Sequence, residues 1–171
     1  MTSGYARVTT EADLFAKARE LSVRTIIFDV EPLVTYWHSG QKSLDRGVAR
    51  ILDEVKAVPS VRAVVFATNS ARRPTALPAC EGIQVRYLAQ AGKPLRTAPY
   101  HDLPRPGAVA GDQLPTDGIL AYRLNFSFLH YMPPLTGVPL GPDLMHRWGE
   151  VVRPVPFRRP APAPDRDRPG S

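Results

Sequence analysis

At 171 residues and 43% hydrophobic composition, the chain fits one soluble domain with a substantial core. A single cysteine excludes an internal disulfide and a cysteine-rich zinc site. No apolar run approaches the roughly 20 residues of a membrane-spanning helix or resembles a secretory signal, so we expect the protein to reside in the cytoplasm. The net charge of +6 gives no strong nucleic-acid signal, because residues 151–171 hold half of it and no basic stripe is interleaved with aromatic residues. A phosphorylated substrate or peripheral contact with an anionic membrane fits as well, and the oligomeric state is not indicated.

The first half of the chain predicts two helices around one strand. Residues 1–10 have no periodic pattern and are expected to form a flexible terminus. Residues 11–21 place apolar side chains at helical spacing, which predicts a short amphipathic helix. Residues 23–29 are almost continuously apolar, which is typical of a strand covered on both faces of a parallel sheet. A second amphipathic helix is predicted over residues 43–58, with Ser43 as its cap.

The second half predicts four more strands. Residues 62–68 repeat the buried-strand pattern, and residues 84–88 form a weaker strand. A short strand is predicted over 108–110. The alternating residues 125–131 indicate a strand near the sheet edge.

The C-terminal part of the chain departs from this alternating pattern. A last helix is predicted over 142–152. Beyond it, the proline- and arginine-rich residues 153–171 cannot bury apolar surface and are predicted to be a disordered tail. Residues 11–152 would therefore form one α/β domain.

Strands that alternate with helices predict a doubly wound, mainly parallel, Rossmann-like sheet flanked by helices, with no separate cap domain. In such sheets, ligands bind outside the carboxyl ends of the strands. Polar residues follow three of the predicted strands at those ends, namely Asp29, Thr68 with Asn69, and Asp112. This coincidence predicts a functional site.

Asp29 and Glu31 stand at the end of the first buried strand. A carboxylate in this position can bind a hard cation and attack phosphorus, which divides phosphate hydrolysis into two easier displacements. The second acid could protonate the leaving group and later deprotonate water. Taken alone, this short pattern is more typical of a helix cap or a surface loop.

The segment GDQLPTD, residues 111–117, is the stronger signal. Gly111 would allow a tight turn after the strand, so that Asp112 points back at the site. Asp117 lies about one helical turn further on, and the two acids could hold Mg²⁺ together with Asp29. The alternative is an aspartate cap followed by an exposed acid.

Several further residues could contribute to a phosphate site. Lys93 could neutralise a nucleophile and a transferred phosphoryl group, although a lysine before proline is usually a solvated loop residue. Thr68 and Asn69 could donate hydrogen bonds to phosphate oxygens, or they could simply close the strand. Arg72 and its neighbour could attract an anionic substrate, although solvated loop arginines are common.

The order of these motifs resembles that of the haloacid dehalogenase (HAD) phosphohydrolases. The matching segments are TIIFDVEPLV (25–34), VVFATNS (64–70), AGKP (91–94) and VAGDQLPTDG (109–118). The chain is most similar to the capless YqeG-type branch, HAD subfamily IIIA, whose signature GDQ-hydrophobic-x-TD is close to GDQLPTDG. The resemblance implies a HAD-like fold and a Mg²⁺-dependent phosphomonoester phosphatase. It would act through an aspartyl phosphate on a bulky, lipid or macromolecular substrate.

The resemblance also implies a role for each matching residue. Asp29 would be the nucleophile and a metal ligand. Glu31 would bind the metal through its backbone carbonyl and act as general acid and base through its side chain. Asp112 would bind the metal directly, and Asp117 directly or through water.

On the phosphate side, Thr68 and Asn69 would contact the transferring phosphoryl group, and Lys93 would stabilise its charge. The first motif departs from the family pattern, because Glu31 and Pro32 stand where the family has aspartate and a small or polar residue. A longer acid could be misplaced by more than 1 Å, which can cost on the order of a hundredfold in rate. The alternative is therefore a catalytically weakened HAD-like module with a binding or regulatory role.

Overall fold

The computed structural model describes residues 4–132, which fold around one six-stranded, all-parallel sheet. The strands are β1 (Tyr5–Val8), β2 (Thr25–Asp29), β3 (Ala63–Ala67), β4 (Gln84–Leu88), β5 (Gly107–Gly111) and β6 (Ser127–Tyr131). Their order across the sheet is β1-β6-β5-β2-β3-β4, with helices on both faces. The predicted doubly wound, Rossmann-like fold is confirmed.

Within residues 4–132, three helices pack on this sheet: α1 (Glu11–Glu20), α2 (Gln41–Lys56) and α3 (Ile119–Leu124). A 3₁₀ turn covers Ala98–Tyr100, and a π-helical turn covers Leu114–Gly118. None of the helices in the described part of the chain has the length and hydropathy that crossing a membrane requires.

The three central strands β2, β3 and β5 are buried at every residue, which explains their continuous apolar sequence. Alternate side chains enter two separate cores. Phe28 and Phe66 stack on the face covered by α1 and α2, with ring centroids 5.9 Å apart. Ile27 and Val109 point to the opposite face, where α3 packs. The apolar layers on both faces hold the central strands in register, with their carboxyl ends side by side.

The N-terminal residues correct one prediction. Tyr5–Val8 form the edge strand β1, which pairs in parallel with β6, whereas the sequence predicted a flexible terminus over residues 1–10. β6 lies between this edge strand and β5, so it is the second strand from the edge, which agrees with the prediction of a strand near the sheet edge. A strand of four residues is too short for its periodicity to be recognised. Its hydrogen-bonding partner also lies more than a hundred residues away in the sequence.

The start of α2 also differs from the prediction. The helix begins at Gln41, and its N-cap is Gly40, which makes no side-chain capping bond. Ser43, the predicted cap, lies inside the first turn, and its hydroxyl accepts a hydrogen bond from Thr35 at 3.3 Å. The predicted helix over 142–152 and the predicted tail over 153–171 lie outside the described residues.

Gly47 lets α2 pack directly against the loop that follows β2. A Cβ atom at this position would lie 2.0 Å from the Val34 carbonyl oxygen. We expect Gly47→Ala to lower the free energy of unfolding by roughly 1–3 kcal/mol, because backbone atoms have to move apart. Urea unfolding measures the loss. Glu54→Ala, at an exposed position of the same helix, should stay within about 0.5 kcal/mol of the unmodified chain. Equal stability of the two variants would contradict this packing account.

Candidate functional site

Three carboxylates from separate segments meet at the carboxyl end of the sheet. Asp29 ends β2, Asp112 directly follows the neighbouring strand β5, and Asp117 lies in the π-helical turn. Each of the three offers an oxygen atom, and these atoms all lie within 4.8 Å of one another. All three residues are buried, with exposed fractions of 6%, 1% and 0%. The structure therefore brings together the acids that the sequence predicted as a metal triad.

A glycine makes room for Asp117. A Cβ atom on Gly111 would lie 2.4 Å from Asp117 Oδ2, so any larger residue would displace this carboxylate. The sequence interpretation assigned Gly111 to a tight turn, but the residue is the last of a regular strand and its φ is not in the left-handed region. The close approach of the Asp117 carboxylate, and not a need for a left-handed backbone conformation, explains why this residue is glycine.

The π-helical turn fixes the spacing of the two acids. The backbone N–H of Asp117 donates to the Gln113 carbonyl at 2.8 Å, and the N–H of Gly118 donates to the same oxygen at 3.4 Å. Gln113 occupies the N-cap position and makes no side-chain capping bond. Asp112 is therefore not a helix cap, which was the alternative interpretation of this segment.

Lys93 completes the cluster from the loop between β4 and β5. Its Nζ donates to Asp29 Oδ1 at 2.7 Å and to Asp117 Oδ1 at 2.6 Å, and the residue is 7% exposed. This lysine is therefore not a solvated loop residue. We refer to Asp29, Asp112, Asp117 and Lys93 as the acid cluster.

The charges of the acid cluster do not balance, because three buried carboxylates face one ammonium group. Burial raises the pKa of Asp29, repulsion from Asp117 raises it further, and attraction by Lys93 only partly opposes the rise. Burial alone would lower the pKa of Lys93, but attraction by Asp117 and Asp29 outweighs it and holds this pKa above its usual range. Carboxylate oxygens suit a hard divalent cation, and its charge would offset the surplus of negative charge.

Asn69 supports Lys93. Its amide Nδ2 donates to the Lys93 carbonyl at 3.0 Å, and its Oδ1 accepts from the Lys93 N–H at 2.8 Å. The sequence assigned Asn69 to phosphate contact, but the structure uses its side chain to hold the backbone of the lysine. At most one amide hydrogen is left for another acceptor.

Glu31 lies beside the acid cluster without belonging to it. Its Oε2 accepts from the Thr68 hydroxyl at 2.8 Å, and its Oε1 accepts from Arg72 at 3.3 Å. The Glu31 carboxylate is not one of the three that converge, and the predicted metal contact through the Glu31 backbone carbonyl stays a prediction. The longer side chain instead reaches the groups that follow β3.

Arg72 has a role that the sequence did not reveal. Besides Glu31, its guanidinium donates to the carbonyl oxygens of Tyr36 and Trp37 and, at 2.8 Å, of Ser39. Arg72 therefore ties the loop after β2 to the loop after β3. Backbone carbonyls carry no side-chain pattern, so no sequence signal could have indicated these partners.

A cavity of about 230 Å³ opens beside these groups. Asp29, Glu31, Thr68, Asn69 and Lys93 line it together with other polar residues, and Trp37 forms an aromatic part of the wall. A slightly larger cavity of about 260 Å³ lies between α2 and the loop after β2, and none of the predicted site residues lines it. Of these two cavities, the smaller one is therefore the one that the predicted site residues line.

Comparison with known proteins identifies no relative of this chain. No family model matches it, and neither the curated proteins nor the solved structures contain a match.

Proposed function

We propose that the protein is a Mg²⁺-dependent phosphomonoester phosphatase of the HAD type, which forms an aspartyl phosphate on Asp29. One observation carries the proposal. Three buried carboxylates from separate segments converge, and the ammonium group of Lys93 bridges two of them. A site of this kind can bind a hard cation and receive a phosphoryl group at the same point. The motif order that resembles the HAD enzymes supports the same assignment.

Asp29 would act as the nucleophile. Both hydrogen bonds to its carboxylate in the described part of the chain, from the Val30 N–H and from Lys93, fall on Oδ1, so Oδ2 is available for attack. Oδ2 would form a bond to phosphorus while the bond to the leaving oxygen breaks. Lys93 would offset the charge of the transferring group. A bound Mg²⁺ would supply further charge stabilisation and orient the phosphate.

Glu31 would act as the general acid and then as the general base of the reaction. In the first step its carboxylic acid would protonate the leaving alcohol oxygen. In the second step its carboxylate would take a proton from water, which attacks the phosphorus of the aspartyl phosphate. Inorganic phosphate then leaves and the Asp29 carboxylate is restored. Thr68 and Arg72 would set the position of Glu31 throughout, since both donate to its carboxylate.

The shape of the site favours a bulky substrate. Within residues 4–132 no additional domain covers the acid cluster. The cavity of about 230 Å³ accommodates a phosphate group with a small part of the attached molecule. The rest of a lipid or macromolecular phosphate would remain outside the protein.

The second candidate is a catalytically weakened module with a binding or regulatory role. The observation that favours it is the attachment of Glu31 to Thr68 and Arg72, which engages both of its carboxylate oxygens. A carboxylate held in this way can support the loop without transferring protons.

The proposal is tested by incubating the purified full chain with p-nitrophenyl phosphate. We expect hydrolysis with MgCl₂, loss of activity after EDTA treatment, and recovery when Mg²⁺ is restored. The metal requirement follows because buried carboxylates in the acid cluster need a cation to offset their repulsion. Hydrolysis that is equally fast with EDTA would disprove the metal-dependent mechanism.

Glu31→Asp separates the two candidates. In a competent enzyme we expect this variant to keep or lose activity, because the shorter side chain gives up its contacts with Thr68 and Arg72. In a weakened module, aspartate, which the HAD family has at this position, should raise the rate of hydrolysis sharply. The measurement is the kcat of Glu31→Asp and of the unmodified chain on p-nitrophenyl phosphate. A kcat more than about tenfold higher in the variant would favour the weakened module.

A further inference from the structure

We propose that His130 is a positioning residue for Asp112, and that Tyr5 on the edge strand holds His130 in the required tautomer. The inference rests on the proposed Mg²⁺ site. It adds two residues, from β6 and β1, for which the sequence pattern indicated no functional role.

The contacts around His130 indicate which of its ring nitrogens carries a hydrogen. The ring Nε2 lies 3.0 Å from the backbone carbonyl oxygen of Asp112. A carbonyl oxygen can only accept, so Nε2 must carry the hydrogen and donate it. On the other side of the ring, Nδ1 lies 2.7 Å from the Tyr5 hydroxyl. A neutral ring with its hydrogen on Nε2 satisfies both contacts, because the Tyr5 hydroxyl then donates to Nδ1.

The ring is held in place by its surroundings. His130 is 4% exposed and stacks on Phe128, with ring centroids 5.2 Å apart. In the sheet it stands opposite Gly111, the residue directly before Asp112. The donated bond therefore acts at the point where the chain leaves β5 and enters the acid cluster.

The position of the Asp112 carboxylate depends on this backbone bond. Asp112 follows the last residue of β5, so its carbonyl lies beyond the regular ladder of that strand. The bond from His130 restricts rotation of the peptide group next to the proposed ligand. Groups that orient metal ligands from behind typically change metal affinity by about 10–100-fold when they are removed.

Two variants of the same residue test the inference. The side-chain amide of Gln reaches about as far as Nε2 and can still donate to Asp112, whereas that of Asn reaches only as far as Nδ1. Both variants lose the ring and its stacking. Titration calorimetry of the metal-free full chain with MgCl₂ measures binding. We expect His130→Asn to weaken Mg²⁺ binding by at least about tenfold and His130→Gln by less than about threefold.

The tautomer is tested on the unmodified protein, so the inference remains falsifiable if both variants unfold. The ¹⁵N chemical shifts of the His130 ring should show the hydrogen on Nε2. In Tyr5→Phe, which keeps the aromatic ring but removes the hydroxyl, the shifts should show a mixture of tautomers and Mg²⁺ binding should weaken by about threefold.

Each outcome has one meaning. Equal loss of Mg²⁺ affinity in the Asn and Gln variants, or a hydrogen on Nδ1 in the unmodified protein, would overturn the role of His130. If the unmodified chain binds no Mg²⁺, the proposed metal centre itself fails and the inference with it. Weak Mg²⁺ binding by the Asn variant, together with strong binding by the Gln variant, would support both the role of His130 and the proposed metal centre.

Discussion

Asp29→Asn is expected to lower the kcat on p-nitrophenyl phosphate by at least about a thousandfold, as removal of a covalent nucleophile does in other hydrolases. An amide oxygen is a poor nucleophile and cannot form the aspartyl phosphate. The loss is measured with saturating MgCl₂, so that weaker metal binding does not contribute. Asp53→Asn, which changes an exposed acid of α2, is the matched control and should leave the rate unchanged. Activity of Asp29→Asn equal to that of the control would disprove the assignment of the nucleophile.

The stability of the Asp29→Asn variant should fall less with rising pH than the stability of the unmodified chain. Burial and repulsion from Asp117 raise the pKa of Asp29 above its ordinary value of 3.8, so the metal-free folded chain binds this proton more tightly than the unfolded chain. The contribution of Asp29 to stability is therefore greatest below about pH 4 and falls as the pH rises through the raised pKa. The side-chain amide of the Asp29→Asn variant does not titrate, so the variant lacks this loss. Thermal unfolding in EDTA at pH 5 and pH 7.5 should show a smaller decrease for the variant than for the unmodified chain.

Gly111→Ala is expected to disrupt the acid cluster although it replaces none of the charged residues of the cluster. The added Cβ would lie 2.4 Å from Oδ2 and 2.5 Å from Cγ of Asp117, so this carboxylate must move away from Lys93 and Asp29. A displacement of about 1 Å in a catalytic site can cost on the order of a hundredfold in rate. We expect a loss of kcat of that size, together with Mg²⁺ binding weakened by at least about tenfold.

The matched control for this variant is Gly4→Ala. There the added Cβ would meet only the Ser127 side chain, whose hydroxyl oxygen lies 3.3 Å away and can rotate aside. Assays of kcat and calorimetric Mg²⁺ titrations of both variants separate a local effect from the general effect of exchanging glycine for alanine. Full activity of Gly111→Ala would show that Asp117 is not required where the structure places it.

The sequence determined the central strands and the ends at which the acids lie. Short continuous apolar runs rich in β-branched residues are typical of a strand that is buried on both faces, so β2 and β3 were recognisable within two residues of their ends. The parallel arrangement then places the residues after neighbouring strands at one edge of the sheet. For this reason the sequence by itself predicts that Asp29 and Asp112 lie at one site.

The tertiary structure decided the features that depend on distant backbone groups. The edge strand β1 forms through hydrogen bonds to β6, and the side chains of four residues do not encode that pairing. The attachment of Arg72 to loop carbonyls, the support of Lys93 by Asn69, and the contact of His130 with the Asp112 carbonyl have the same origin. Every residue offers the same peptide groups, so a sequence pattern cannot show which of them a side chain will meet.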